Sequence, residues 1–404
     1  MKNLKQFNFK LQALLLCGIC SCGIFSSCSK EDIGNKTGSA IGNQLVLTIN
    51  TANPGSRATN LTPTAGETPG DDKNENQINR LTVGVFSSDG TVRTIQEYTK
   101  DGTNKFSTSV DGTTTTATVT TTSLAAGDKV LVAVNAPTNR FAGVQNSDAF
   151  TKSMTIDEAL TTPAPGETAD AAKEATDNLP MYGNDIIAKG EDGSYSSTVH
   201  VLHQVAKITV GTVGVDFDPN GPYSAATFQP TAFFLTNVPD NLNFTKAAAT
   251  GSSTVWEQGG KSSITATYKA YLGTGDLGTA YTALKGIAGS TTASVGINKF
   301  FYTMPNSVVA NNTKLVIEGT FDPDGKGTST STVFYPVNIN WQSDGTVPDK
   351  GIAKTVSPNT NYNCTVTIKT KGTDDPSKSI DPSVASINVT VTPFTTVNQS
   401  TVFE

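Results

Sequence analysis

Short runs of alternating apolar and polar residues, separated by turn-forming dipeptides, recur along the chain and limit what it can fold into. Such runs are typical of strands that place one face on a core. They cover residues 45–49, 80–86, 116–122, 129–134, 198–210, 231–235, 299–303, 314–318, 332–339, 362–368 and 386–391. Helical periodicity occurs only at residues 148–160 and 169–175. The pattern therefore predicts an all-β protein.

A polar stretch divides this series of predicted strands. Residues 161–178 are rich in Ala, Thr, Pro, Asp and Glu, and the strand pattern restarts after them. We therefore predict two tandem antiparallel β-sandwich domains, an N-terminal one at residues 58–182 and a C-terminal one at residues 183–393. The predicted strand at 129–134 is apolar on both faces, as expected in the middle of a sandwich.

Residues 1–28 have the pattern of a lipoprotein signal peptide. A lysine-containing start precedes an apolar run at residues 11–25, which is shorter than the roughly 20 apolar residues of a spanning helix. Hydrophobicity stops and charge begins at Cys28, so Cys28 is the predicted lipidated cysteine. Cys22 is a competing lipid acceptor, and an ordinary cleaved signal is the alternative to both.

Cysteine content and charge exclude several classes of protein. Four of the five cysteines lie in or at the end of the signal, which leaves Cys364 alone in the body of the chain. No intrachain disulfide is then possible after processing. The net charge is −6 and no basic stripe is present, so no nucleic-acid partner is expected.

No catalytic or metal-binding set stands out, and we expect neither enzymatic activity nor a cofactor. His200 and His203 are three residues apart on one predicted strand, which places them on opposite faces of a sheet. Residues 216–221 resemble the opening of a calcium loop, but Thr227 stands where the bidentate Glu belongs. We predict an exposed turn there. A hydrolase is the least favoured class.

One predicted strand lies between the signal and a candidate protease site, within a propeptide at residues 29–57. Leu45, Leu47 and Ile49 form the apolar face of this strand. The bond between Arg57 and Ala58 follows in a polar segment rich in Pro and Gly, which is the exposed, extended kind of segment that proteases require. A chance arginine in a linker is the alternative. Cleavage here would remove one strand from a sheet.

The segment at residues 394–404 follows Pro393, which has no N–H for a strand ladder. It is uncharged up to Glu404. Ten residues at about 3.3 Å each could span roughly 33 Å, enough for a strand across another domain. An edge strand of its own domain, or a frayed terminus, is the alternative. Its large apolar residues are Phe394, Val397, Val402 and Phe403.

Taken in order, several short motifs resemble the fimbrillin family, the subunits of Bacteroidota (type V) pili. The resemblance is closest to the family of the short-fimbria major subunit of Porphyromonas. It rests on the acidic start at 28–32, on the strand at 45–49 followed by Arg57, and on residues 132–137, 179–183, 205–210, 301–306, 359–368 and 389–394.

The resemblance implies two Greek-key, transthyretin-like sandwiches and a precursor exported to the outer membrane as a lipoprotein. It further implies that an arginine-specific protease cuts between Arg57 and Ala58, so that Leu45, Leu47 and Ile49 occupy their groove only temporarily. Residues 394–403 of a neighbouring subunit then fill the groove as a donor strand. The implied partners are other copies of this chain, related pilus subunits and the protease, with host or bacterial surface receptors for adhesion.

Two alternatives stay open at this point. An anchor subunit of a pilus would keep the lipid at Cys28 and remain uncleaved. A glycan-binding surface lipoprotein would need an exposed aromatic platform, and only Trp256 and Trp341 are available as tryptophans. The position of the subunit along a pilus is not specified by these motifs.

Overall fold

Strands are the main regular structure of the computed structural model, and its helices are few and short. The structure describes residues 44–51, 75–109, 114–168, 178–247, 254–260, 267–273, 281–286, 293–349, 351–381 and 383–393. The predictions for Cys28, Arg57, Ala58, the helix at 169–175 and the segment 394–404 lie outside these residues.

We number the elements of the described residues in chain order. The strands are β1 Gln44–Asn50, β2 Arg80–Phe86, β3 Val92–Thr99, β4 Phe106–Thr108, β5 Thr114–Thr120, β6 Lys129–Val134, β7 Met181–Ile186, β8 Ala188–Lys189, β9 Tyr195–His200, β10 Leu202–His203, β11 Ala206–Val215, β12 Thr227–Thr236, β13 Val238–Pro239, β14 Trp256–Glu257, β15 Leu284–Lys285, β16 Ala293–Thr303, β17 Lys314–Asp322, β18 Ser331–Asn338, β19 Thr360–Ile368 and β20 Ala385–Pro393. The helices are α1 Ser147–Lys152 and α2 Ile156–Leu160.

The first sandwich consists of two five-stranded sheets, β4-β5-β1-β9-β8 and β10-β7-β6-β2-β3. Alternate residues of each strand point inward, and one apolar cluster joins the two sheets. Its members include Leu45, Leu47 and Ile49 from β1, Val83 and Val85 from β2, Val130 and Val132 from β6, and Val199 from β9. Burial of these side chains holds the sheets face to face.

The second sandwich consists of two four-stranded sheets, β16-β11-β19-β20 and β15-β12-β17-β18. Its core is larger and contains aromatic side chains from both sheets. Among them are Phe228, Phe321 and Tyr335 from one sheet and Tyr302 and Tyr362 from the other. The predicted fold class, two tandem β-sandwiches, is therefore confirmed.

Each sandwich departs from a purely antiparallel arrangement at one strand pair. In the first, β1 is antiparallel to β5 but parallel to β9. In the second, β11 is antiparallel to β16 but parallel to β19. Parallel neighbours require a long crossover between them, and here the other strands of the same sandwich supply it.

The first sandwich extends past the boundary predicted between residues 182 and 183. β7 pairs with β6, β9 pairs with β1, and β10 pairs with β7. The polar stretch 161–178 is thus inserted between two strands of one sheet and does not link two domains. The run predicted as one strand at 198–210 is divided among β9, β10 and β11. β9 and β10 belong to the two sheets of the first sandwich, and β11 belongs to the second sandwich.

The helix predicted at 148–160 is confirmed as two short helices. Asn146 caps α1, since its side chain accepts the N–H of Ala149 at 2.8 Å, and Thr155 caps α2 by accepting the N–H of Glu158 at 3.1 Å. Over the described ranges, no helix combines the length and apolarity that crossing a membrane requires.

Candidate functional site: the groove of the first sandwich

Strand β1 lies in the middle of a five-stranded sheet. Its backbone pairs with β5 over seven residues, from Gln44 opposite Thr120 to Asn50 opposite Thr114. On its other side it pairs with β9 from Leu45 opposite Tyr195 to Asn50 opposite His200. Both edges of β1 are therefore occupied, and the strand fills the space between β5 and β9.

The inward face of β1 is fully buried. Leu45, Leu47 and Ile49 are each 0% exposed, as the sequence pattern predicted for this face. Burying one such side chain is worth about 1.5–3 kcal/mol, so the three together contribute roughly 5–9 kcal/mol. The outward face contributes less, since Val46 is 47% exposed.

The residues beside β1 divide its groove into positions of different width. Leu47, at the centre, lies between Ala117 and Ser197. The outer positions are flanked by larger side chains, Val119 and Tyr195 beside Leu45 and Thr115 and Val199 beside Ile49. The groove is thus widest at its centre, where a large side chain fits between two small ones.

A sheet without β1 would be incomplete in two ways. Strands β5 and β9 would both present unpaired N–H and C=O groups, which is an open template for another strand. The inner face of the opposite sheet, including Val83 and Val132, would lose the side chains that cover it. Such a groove would bind any strand that forms backbone hydrogen bonds with both β5 and β9 and places apolar side chains on the core.

The chain is fixed at both ends of the segment 52–74. At one end, the N–H of Val201 donates to the backbone oxygen of Asn50 at 3.0 Å. At the other, Glu75 is 1% exposed and forms a buried ion pair with Lys207, whose Nζ lies 2.6 Å from Glu75 Oε1. The hydroxyl of Tyr302 donates to the same carboxylate oxygen. Cutting this segment would therefore leave Glu75 anchored.

His203 belongs to the same anchor. Its Nε2 lies 2.9 Å from the backbone oxygen of Glu75, and its Nδ1 lies 3.2 Å from Asn359 Oδ1. Burial lowers the pKa of this imidazole from its usual value, which favours the neutral ring. His200, by contrast, is exposed at the end of β9, in the other sheet of the first sandwich. The two histidines are separated because they belong to different sheets, and the prediction that they lie on opposite faces of one strand is wrong.

The calcium-like motif forms a turn. The side chain of Asp218 accepts the N–H of Asn220 at 2.9 Å, and its backbone oxygen accepts the N–H of Gly221 at 3.0 Å. Within the part of the chain that the structure describes, no group of three or more His, Cys, Asp or Glu side chains could hold a metal ion.

Sequence reasoning did not find the anchor around Glu75. A single glutamate after a polar segment has the local pattern of a solvated side chain. Its partners Lys207 and Tyr302 lie more than a hundred residues away in the sequence. The only available signal was the position of Lys207 on the apolar strand 205–210.

The last described strand leads toward the segment 394–404. β20 lies at the edge of its sheet and pairs there with β19, with Pro393 opposite Thr360. An edge position is where proline is tolerated in a sheet. The next residue, Phe394, therefore follows directly from an exposed edge of the second sandwich.

Comparisons with known proteins agree with this architecture. Residues 45–200 match the family model described as the major fimbrial subunit protein (FimA). The match begins at Leu45 in β1 and ends at His200 in β9, so it spans the groove. That family consists of structural subunits and not of enzymes.

Solved structures share the fold over most of the chain. A candidate cell adhesion protein from Bacteroides eggerthii is 20% identical, with a TM-score of 0.56, and the match covers 90% of this chain and 99% of that one. A second, from Parabacteroides distasonis, is 12% identical with a TM-score of 0.58, covering 89% and 99%. No curated protein sequence matches the chain significantly.

Proposed function

We propose, because residues 45–200 match the model of the major fimbrial subunit family, that the chain is a fimbrial subunit and polymerises by exchanging strand β1 for a strand of a neighbouring subunit. In this proposal the precursor is exported as a lipoprotein carrying its lipid at Cys28. An arginine-specific protease then cuts between Arg57 and Ala58, and β1 leaves. The mature chain is a subunit of a surface fimbrium and serves adhesion.

The position of β1 is the observation that carries this proposal. β1 is a central strand with a fully buried inward face, yet the candidate cleavage site follows it by only a few residues. A central strand is normally an integral part of its sandwich. Here the chain is anchored again at Glu75, so that release of β1 leaves the remaining strands attached to one another.

The segment 394–404 is proposed as the donor strand. It continues from an edge strand, is long enough to replace the seven residues of β1, and contains four large apolar side chains, Phe394, Val397, Val402 and Phe403. Strand addition uses ladder hydrogen bonds for affinity and alternate side chains for register. Because donor and acceptor surfaces differ, each added subunit presents a new groove, and the product is a filament.

Cleavage acts as the trigger in this scheme. Before it, β1 occupies the groove within the same chain and excludes a second strand. After it, β1 is no longer covalently held, and a neighbour's strand can replace it. The lipid at Cys28 is released with the propeptide, so that the mature subunit is held by its neighbours in the fimbrium.

Sequencing the amino terminus of the protein taken from the cell surface tests the cleavage step. The proposal expects Ala58. An acylated Cys28 would instead assign the chain to an uncleaved anchor. The variant Arg57→Ala should stay unprocessed and fail to polymerise, whereas Arg140→Ala, which removes a half-exposed arginine of the first sandwich, should be processed normally.

Deleting residues 394–404 tests the donor assignment. The truncated chain should be cleaved after Arg57 and should then accumulate as monomers in size-exclusion chromatography. Long polymers of the truncated chain would reject the assignment of the donor strand.

A further inference from the structure

An apolar groove lies at the end of the second sandwich where β16 ends and β19 begins. Its open volume is about 420 Å³. The walls are loops at residues 305–308 and 351–358, together with residues 239–246 and Trp256 of β14. Its apolar lining includes Pro239, Leu242, Trp256, Val308, Ile352 and Pro358.

The large apolar side chains of this groove are unusually exposed. Ile352 is 66% exposed and Val308 44% exposed, and both line the groove. Val255 and Val309, next to lining residues in the chain, are 42% and 45% exposed. Four of the seven large exposed hydrophobic residues of the described chain thus lie in or beside one groove. A clustered apolar patch of this kind marks a binding surface.

The segment 394–404 is tethered beside this groove. Pro393 pairs with Thr360, so their Cα atoms are about 5 Å apart. Thr360 in turn follows Pro358, a wall of the groove, by two residues. Residue 394 therefore leaves the second sandwich at the end that carries the groove. Residues 394–404, at about 3.3 Å each, reach up to roughly 36 Å, which suffices to cross it.

Composition favours this segment over residues 58–74, the segment that precedes Glu75. Residues 58–74 lead into Glu75, which is also anchored at this end of the second sandwich through His203 and Asn359. That segment contains Leu61 as its single large apolar residue, with the charged residues Glu67, Asp71, Asp72 and Lys73. The segment 394–404 contains four large apolar residues and one charge, Glu404.

We propose that residues 394–404 of an unpolymerised subunit rest in this groove of their own chain. The inference deepens the proposed function, because it rests on the same segment acting as the donor strand. The groove covers Phe394, Val397, Val402 and Phe403 until a neighbour's first sandwich is available. It thereby limits aggregation of an exposed apolar segment.

Transfer from this groove to a neighbour is favourable for a structural reason. The groove vacated by β1 offers two strand edges, those of β5 and β9, and three buried apolar positions. The resting groove is walled mainly by loops, so apolar contact is its main source of affinity. On transfer, the segment gains backbone hydrogen bonds to both β5 and β9, so it binds more tightly in the groove vacated by β1 than in the resting groove.

Disulfide trapping in the unpolymerised precursor tests the proposal. The precursor with Arg57→Ala keeps β1 in place, so its first sandwich cannot accept a donor. In this background Ile352→Cys is combined with Val397→Cys, and the rate of crosslinking is followed by mass spectrometry. Cys364 does not interfere, because it is fully buried and burial raises its pKa to about 12.

The matched control moves the first cysteine to another exposed isoleucine. Ile186 is 59% exposed but lies on the first sandwich, outside the groove. The pair at 352 and 397 should form an intrachain disulfide about tenfold faster than the pair made by Ile186→Cys and Val397→Cys, because the resting segment raises the local concentration of residue 397 at the groove.

Three results would overturn the proposal. The first is equal rates for the two pairs, and the second is a disulfide that joins position 352 to position 397 of a second chain. The third uses a further pair, Ile352→Cys with Leu61→Cys, and is faster crosslinking of this pair than of the pair at 352 and 397. These results leave the proposed function untouched, because its donor assignment is tested separately, by whether the chain lacking residues 394–404 still polymerises. If trapping succeeds while that truncated chain polymerises, the resting groove stands and the donor role is rejected.

A second readout uses polymerisation itself. In the chain with an intact Arg57, the variant Ile352→Asp should release the segment and shorten the lag before polymers form, whereas Ile186→Asp should not. An unchanged lag in Ile352→Asp, in a chain that polymerises normally, would contradict a resting role for the groove.

Discussion

The two sandwiches use the same arrangement around one strand, but the chain connects those two strands to the rest of the protein differently. β1 and β11 each lie between an antiparallel neighbour and a parallel neighbour, and each supplies fully buried side chains to its core. β11 follows β10 after only Gln204 and Val205. β1 is joined to the next anchored residue, Glu75, by the long segment 52–74. β1 and β11 thus differ in the length of the chain that connects them to a neighbouring anchored element, and not in how they pair within their sheets.

In the proposed function, this difference makes β1 the exchangeable strand. The stability that β1 gives its sheet would not depend on a covalent bond to β2, as long as another strand fills the groove. The anchor at Glu75 would hold the rest of the chain in place after cleavage of the segment. The predictions below test these two features, from the largest expected effect to the smallest.

The anchor at Glu75 should be the most sensitive point. Lys207→Met removes the partner of a carboxylate that is 2% exposed, and breaking a buried ion pair costs about 3–5 kcal/mol. Urea unfolding of the precursor measures this loss. Lys152→Met, which breaks the surface pair with Asp148, is the matched control and should change stability by less than about 1 kcal/mol. Equal losses in both variants would show that the buried pair at Glu75 adds no more to the free energy of unfolding than a surface ion pair.

Matched truncations of the two central strands should have equal effects in the precursor and unequal effects after maturation. Leu47→Ala in β1 and Ile208→Ala in β11 each remove a fully buried side chain, at a cost of about 2–5 kcal/mol. In polymers of the mature chain, only Ile208→Ala should still lower the unfolding midpoint. A persistent loss from Leu47→Ala would mean that β1 stays in the groove.

The contact of α2 with the second sandwich should depend on pH. The hydroxyl of Tyr271 lies between Asp157 of α2 and Glu257 of β14, and the Nζ of Lys269 lies 3.0 Å from Glu257. Burial, with the nearby Asp157, raises the pKa of Glu257 from 4.5 to about 7. Because the pKa is raised on folding, the stabilising contribution is fully present below about pH 4.5 and is lost as the pH rises to about 7.

Thermal unfolding from pH 4.5 to 7 measures this dependence. The variant Glu257→Gln, which cannot ionise, should lose the part of the pH dependence that falls in this window. Glu158→Gln on the same helix, whose carboxylate pairs with Arg140 on the surface, should keep the dependence of the unmodified chain. Identical profiles for the unmodified chain and Glu257→Gln would contradict this assignment.

The outward face of β1 should matter least. Val46→Thr changes a side chain that is 47% exposed and keeps a β-branched residue in the strand. The free energy of unfolding of the precursor should change by no more than about 0.5 kcal/mol. A larger loss in urea unfolding would mean that both faces of β1, and not the inward face alone, hold it in place.

Local pattern predicted β1 well and the contacts around it poorly. The strict alternation of Leu45, Leu47 and Ile49 fixed both the strand and its buried face, because period and burial are properties of adjacent residues. The central location of β1 between β5 and β9 depends on partners far along the chain. The Glu75 anchor and the groove at Ile352 had no local signature for the same reason.

The boundary between the sandwiches illustrates the same limit. The change in composition at residues 161–178 led to the prediction of a domain boundary just after that stretch. The strands on either side of it, β6 and β7, nevertheless pair with each other. A polar insertion and a polar linker have the same local composition. Only the pairing of the strands on either side distinguishes them.

A map of the assembled fimbrium by cryo-electron microscopy tests the central claim most directly. The density between β5 and β9 identifies the strand that occupies the groove of the first sandwich. We predict residues 394–403 of a neighbouring subunit at this position, with the chain beginning at Ala58. Density for residues 44–50 of the same chain in the groove would contradict the exchange of β1.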